Sequence, residues 1–229
     1  MDKEKIIIAL DVSTIKETER LLTILSPHVS IFKVGMELFY SCGPKVIDII
    51  KKYDKEIFLD LKFHDIPNTV KNSARVVTRL GVFMFNVHAS GGSDMMKAAI
   101  EGAEEESEKL GVDRPRILGV TVLTSIANAT EAQVLNLAKS AKQSGLDGVV
   151  ASPQETAKIR KELGKDFLIV TPGIRPEGSA KQDQKRTATP QEAIKSGADY
   201  IVIGRPVTKV KDPSKALQDI VTGYEKGSG

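Results

Sequence analysis

Short β-branched runs alternate with amphipathic helical stretches eight times along the 229-residue chain, and no other feature constrains the fold as much. The strand candidates run from Ile6 to Asp11, Val29 to Val34, Glu56 to Lys62, Val82 to Val87, Arg116 to Val122, Gly148 to Ala151, Phe167 to Thr171 and Tyr200 to Gly204. Helix starts between them carry side-chain caps. Thr14 with Glu17, Thr130 with Gln133, Ser152 with Glu155, Thr189 with Glu192, and Asp212 each place a short oxygen-bearing residue where orphan N–H groups need an acceptor. Pro153, Pro190 and Pro213 sit at first helical positions, where the missing N–H does no harm. Strands that alternate with helices imply a parallel sheet, and eight such units predict a (β/α)8 TIM barrel, α/β in class. A doubly wound sheet would carry a glycine-rich turn after its first strand, where this chain has Asp11, Val12, Ser13 and Thr14. Residues 1–226 are expected to form one barrel domain, with Gly227, Ser228 and Gly229 as a flexible tail.

Barrel enzymes build their sites at the carboxyl ends of the strands, so polar residues there are the candidates. Side chains two apart on a strand share a face. Asp11 is in phase with Ile7 and Ala9, Lys33 with Ile31, and Asp60 with Lys62, so these acids and lysines converge at one mouth if those faces point inward. Buried charge of this density is costly unless it serves chemistry. Asp65 follows Lys62 within one turn.

Two further segments suit a phosphate. The polar stretch after the seventh strand, from Pro172 to Ala188, holds Arg175 and Gln184 and is too long for an ordinary connection, so it reads as a lid. The eighth strand ends in Gly204 and Arg205, where glycine admits close backbone approach and the guanidinium offers a forked donor. His88, at a strand end before Ala89, Ser90, Gly91 and Gly92, reads as structural, and so do His64, Cys42 and the Met95–Met96 pair. A net charge of +3 without a basic stripe is too mild to argue for nucleic acid, so no nucleic-acid partner is expected, and an anionic small molecule fits better. One cysteine precludes an internal disulfide or a cysteine-based zinc cluster, the histidines lack metal-ligand spacing, and no apolar run approaches the ~20 residues of a membrane span. The start, Met1 to Lys5, leads into too short an apolar run for a signal peptide, so a cytoplasmic protein is expected.

Taken in order, Ala9 to Asp11, Phe32 to Gly35, Asp60 to Thr69, Asn86 to Gly92, Val122 to Ser125, Thr171 to Arg175 and Ile203 to Pro206 resemble the orotidine 5'-phosphate decarboxylase family over nearly the whole chain. The resemblance implies a cofactor-free, metal-free lyase that converts orotidine monophosphate to uridine monophosphate and carbon dioxide, the last step of de novo UMP synthesis. It implies that Lys62 protonates the vinyl carbanion left by decarboxylation, with Asp60, Asp65 and Lys33 completing the catalytic set. Departing carbon dioxide leaves an electron pair that the ring delocalises poorly, and a fixed ammonium can stabilise and then quench it. Asp11 and Lys33 would hold the ribose hydroxyls, Thr124 the pyrimidine edge, and Arg175, Gln184, Gly204 and Arg205 the phosphate. Asp65, Ile66 and Thr69 would reach into the partner's site, which implies a homodimer with shared active sites. Phe83 departs from the family pattern, which has an acid there.

Two rivals stay open on the residues alone. One is a magnesium-dependent sugar-phosphate decarboxylase or aldolase of the same barrel superfamily, such as a 3-keto-gulonate-6-phosphate decarboxylase or hexulose phosphate synthase. Lys33 argues against it, because an ammonium on the second strand stands where those relatives place a metal-binding glutamate. The other is a barrel that binds a nucleotide phosphate without catalysis.

Overall fold

A computed structural model of the chain describes residues 3–126, 129–175 and 187–226. Its eight parallel strands close into a barrel in the order in which they occur along the chain. The strands are β1 Ile6–Ala9, β2 Ile31–Gly35, β3 Glu56–Phe63, β4 Met84–His88, β5 Arg116–Val120, β6 Gly148–Val150, β7 Leu168–Thr171 and β8 Tyr200–Ile203. Around them lie α1 Ile15–Leu25, α2 Met36–Cys42, α3 Lys45–Lys51, α4 Pro67–Arg79, α5 Ser93–Leu110, α6 Glu131–Gln143, α7 Pro153–Leu163, α8 Pro190–Lys195, α9 Arg205–Thr208 and α10 Pro213–Lys226.

Apart from the carboxyl-terminal half of β3, the strands are largely buried on both faces, which is why the runs are so rich in Ile and Val. Ile7, Ala9, Ile31, Phe58, Met84, Leu118, Val170 and Val202 fill the barrel interior. Their neighbours in the alternate phase, among them Ile8, Phe32, Leu59, Phe85, Ile117 and Ile201, pack outward against the helices. The caps form as the sequence predicts. Thr130 and Thr189 make reciprocal capping boxes with Gln133 and Glu192, Thr14 accepts the Glu17 N–H, and Asp212 accepts the Lys215 N–H. The second βα unit carries two helices rather than one, because Gly43 at φ 65° and Pro44 break the stretch between α2 and α3. Met95 and Met96 are buried packing residues, as expected. Among the described residues no helix is long and apolar enough to cross a membrane. The tail of Gly227, Ser228 and Gly229 lies outside the described residues.

The amino-terminal end of the barrel is held by a device used twice. Asp147, just before β6, accepts the Ile117 N–H of β5 at 2.6 Å and takes Arg114 in a forked pair at 2.7 and 2.9 Å. Asp199, just before β8, accepts the Ile169 N–H of β7 at 2.7 Å and pairs with Arg160 at 2.6 Å. Arg160 also donates to the carbonyls of Gly164, Lys165, Phe167 and Gly197, so one guanidinium ties the end of α7 to the starts of β7 and β8. Phe83, the family departure, lies at this same end: its ring meets Tyr200 edge-on at 6.3 Å and carries the Arg116 guanidinium 4.6 Å from its centroid. A cation over an aromatic face thus stands where an acid was expected.

Arg160→Met should strip several charge-assisted bonds from a face remote from the strand carboxyl ends. We expect a loss of about 2 kcal/mol, or roughly 4–8 °C in melting temperature for a chain of this size. Calorimetry checks the shift, and turnover at low temperature should stay at the native level.

Candidate active site

The carboxyl ends of β1, β2 and β3 bring together the charges that strand phase placed on one face. Lys33 Nζ lies 3.4 Å from Asp11 Oδ1 and 3.2 Å from Asp60 Oδ2, and Lys62 Nζ lies 2.6 Å from Asp60 Oδ1. The result is a chain of alternating sign, Asp11, Lys33, Asp60, Lys62. Lys33 and Asp60 are only 12% and 13% exposed, so water screens their attraction little. Burial by itself would push the Lys33 pKa down, but Asp60 and then Asp11 outweigh it and leave the ammonium above its ordinary range. Burial would likewise raise Asp60, yet Lys33, Lys62 and the Asn86 hydrogen bond together hold its carboxyl below the usual range.

One cavity collects these groups and the phosphate candidates. It is lined by Asp11, Lys33, Asp60 and Lys62 from the first three strands, and by Thr124, Gly173, Arg175, Gly204 and Arg205 from beyond β5, β7 and β8. Between them lies an apolar wall of Val120, Val122, Leu123, Val150 and Val202 that sequence reading did not assign to the site. Its residue types are those of any barrel core, so no sequence signal separates them. Gly204 packs close to the first strand: a Cβ there would come within 3.1 Å of Asp11 Oδ2 and 3.4 Å of the Ala9 Cβ. Arg175 is buried, donates to the Ile174 carbonyl, and its backbone N–H reaches Ala188 O at 2.9 Å, joining the two ends of the long connection after β7. Gln184, and the lid reading of that connection, fall outside the described residues.

Asp65, Ile66 and Thr69 do not line the cavity of their own chain. They sit exposed at the start of α4, where Asp65 accepts the Ile66 N–H at 2.7 Å and the Ile66 side chain is 67% exposed. His88 packs its ring against His64 at 5.5 Å, and burial, then His64 and Lys62, lower its pKa. Neither histidine lines the cavity, and Cys42 is a free thiol facing the Ser13 carbonyl.

Asn86 is the polar residue the sequence reading passed over. It is buried on β4, donates to Asp60 Oδ1 at 2.7 Å, and accepts the Lys62 N–H at 2.8 Å. Lys62 itself has φ 54°, a left-handed backbone that costs a lysine about 1–3 kcal/mol. The one signal for Asn86 was an amide side chain in phase with Met84, on the inward face of an otherwise apolar run.

Fold and site together define a (β/α)8-barrel enzyme that works with charged side chains at its strand carboxyl ends. The particular family follows from similarity along the chain. Residues 4–220 match the model of the orotidine 5'-phosphate decarboxylase / HUMPS family, and the chain belongs to that family. A protein of Geotalea daltonii named orotidine 5'-phosphate decarboxylase is 49% identical over 98% of each chain. One of Syntrophomonas wolfei with the same name is 48% identical over 98% of this chain and 99% of its own. A crystal structure of orotidine 5'-phosphate decarboxylase from Lactobacillus acidophilus superposes with a TM-score of 0.83 at 42% identity, covering 96% of this chain and 99% of that one.

Asp60→Asn removes the anion shared by two ammonium groups, and should cost about 3–5 kcal/mol at neutral pH. The Asp60 contribution is present above the unfolded carboxyl pKa near ~3.9 and disappears as pH falls through the lower folded value. That of Lys33 is present below ~10.4 and disappears as pH rises through its higher folded value. Urea unfolding across pH should therefore show the gap between native and D60N proteins widest near neutrality and narrowing toward both extremes.

Proposed function

We propose that this chain decarboxylates orotidine 5'-phosphate to uridine 5'-phosphate and carbon dioxide without metal or cofactor, as the last step of de novo UMP synthesis. The observation that carries the reading is the alternating chain ending in the Lys62 ammonium, held against Asp60 in a cavity with an arginine beyond each of β7 and β8. The family match and the relatives' names supply the substrate.

The bond from the pyrimidine ring to its carboxylate breaks, the electron pair stays on the ring carbon, and neutral carbon dioxide leaves. Lys62 Nζ then gives that carbon a proton and recovers one from solvent. An ammonium already in place stabilises the carbanion as charge develops, without reorganisation at the moment of reaction. Asp60 fixes that ammonium, and Lys33 in turn fixes Asp60 from its second oxygen. Asp11 and Lys33 take the ribose hydroxyls, Thr124 the pyrimidine edge, and Arg175, Gly204 and Arg205 the phosphate. Gln184 is assigned to the phosphate on resemblance alone. Phosphate binding far from the reacting carbon can be spent on positioning, which a reaction needing stabilisation near the upper end of ~8–23 kcal/mol requires. The magnesium-dependent rival is disfavoured by Lys33, whose ammonium lies between the two carboxylates that a cation would need.

We assign the chain to a cytoplasmic homodimer in which Asp65, Ile66 and Thr69 serve the partner's site. Their exposure on the rim, outside their own cavity, supports that reading.

Lys62→Ala should keep the fold and bind uridine monophosphate, but lower turnover by about a thousandfold or more, followed by the ultraviolet change of orotidine monophosphate. EDTA should leave native turnover unchanged; loss with EDTA and recovery with magnesium would refute the metal-free reading. The shared site has its own test. Mixing inactive Lys62→Ala and Asp65→Ala proteins under exchange should restore roughly a quarter of native turnover, because a mixed dimer holds one intact site. No recovery from mixtures shown to exchange subunits would count against sharing.

A further inference from the structure

Strand β3 does not pair evenly with β4. Leu59 stands opposite Phe85 and Phe63 opposite Val87, so Asp60, Leu61 and Lys62 together face the single residue Asn86. A bulge of this kind leaves ladder groups unpaired and re-aims side chains. Within this irregular stretch the Lys62 N–H donates to the Asn86 side-chain oxygen at 2.8 Å, a side chain rather than a strand carbonyl. The other half of the same amide donates to Asp60 Oδ1 at 2.7 Å, the oxygen that also holds the Lys62 ammonium at 2.6 Å. The orientation of the amide is forced. A backbone N–H can only donate and a carboxylate can only accept, so oxygen must face Lys62 and nitrogen must face Asp60. Asn86 is 1% exposed, and water does not compete for either bond.

We propose that Asn86 is a positioning residue for the decarboxylation: its amide clamps the left-handed Lys62 backbone with one end and the Asp60 carboxylate with the other, fixing the ammonium to face the cavity. The inference rests on the decarboxylase reading of the site. Without the clamp, the Lys62 N–H at φ 54° loses its side-chain acceptor, and Asp60 Oδ1 loses a donor on the side away from Lys33. The ammonium then samples poses displaced from the reacting carbon, and a displacement of about 1 Å can cost about 100-fold in rate. Only a planar group with a donor at one end and an acceptor at the other satisfies both contacts. A neutral carboxylic acid has that arrangement, while an ionised one does not.

Two variants test the clamp, with native turnover of orotidine monophosphate measured beside them. Asn86→Leu should lower kcat about 100-fold while KM changes less than about fivefold, and should move the acid limb of the pH profile upward, since Asp60 loses a bond that favours its ionised form. Asn86→Asp should work at low pH, where a proton on the new carboxyl reproduces the amide, and should lose activity as pH rises through that group's pKa, which the adjacent Asp60 raises. The other charges around the pair are Asp11, Lys33 and Lys62 from the first three strands, and His64 and His88 from the neighbouring turn and β4. All of these are common to native and variant proteins, so the new limb reports the introduced carboxyl. A residue that only packs would alter melting temperature and leave kcat and the pH limbs in place. Native-like kcat and pH limbs in both variants would overturn the proposal; where Asn86→Leu does not fold, the Asn86→Asp profile decides. Absence of turnover by the native protein would instead refute the decarboxylase reading.

Discussion

The Asp60 carboxylate is the contact on which the rest of the site depends. One oxygen meets Lys33, the other meets both Lys62 and Asn86, and those partners arrive from β2, β3 and β4. A buried carboxylate is tolerable only with its lone pairs occupied, and closure of the barrel supplies donors from both neighbouring strands at fixed height. The same requirement explains the irregularity of β3. Even pairing would leave Lys62 with ordinary strand geometry, whereas the bulge against Asn86 gives it a left-handed backbone beside the anion. The strain at Lys62 and the satisfaction of Asp60 are therefore one arrangement.

The two ends of the barrel divide the labour. At the amino end, charged side chains neutralise backbone groups: Asp147 and Asp199 each cap a strand amide and each carry an arginine that binds further carbonyls or the same carboxylate. At the carboxyl end, charges face one another across a cavity and leave an ammonium and two guanidinium-bearing residues along its lining. Local bonds at one end can stabilise the chain without fixing the chemistry at the other, which lets the site retain strain.

The barrel and the charged cluster were legible for a simple reason: a period of two on a doubly buried strand is disturbed visibly by a charge. Asp11, Lys33, Asp60 and Lys62 each broke an apolar run in the inward phase, and all four line the cavity. Asn86 also broke such a run, but an amide in a strand end reads equally well as a turn residue, and its role depends on a register shift that residue types do not encode. The left-handed backbone of Lys62 was equally hidden, since lysine carries no preference for it. Val120, Val150 and Val202 could not be told from core because they are core, continued upward until they meet the cavity. Asp65 was legible as a charge, family resemblance points it toward the partner's site, and the structure leaves it exposed outside the lining of its own cavity.

The sign sequence Asp11, Lys33, Asp60, Lys62 explains why this cluster is compatible with burial at all. Its formal charges cancel, and every interior member touches two of opposite sign. Exchanging Lys33 for an acid would leave three carboxylates around one ammonium, a set that needs a cation to be stable and so belongs to metal chemistry. With lysine in that place the cluster is closed on itself, and its free end is an ammonium beside an apolar wall. On the proposed mechanism, a carbanion developing in that cavity would meet a positive charge already fixed beside an apolar wall, where electrostatic stabilisation is stronger than in water. Position on the second strand, more than the identity of Lys62 alone, therefore decides which reaction the barrel mouth can support.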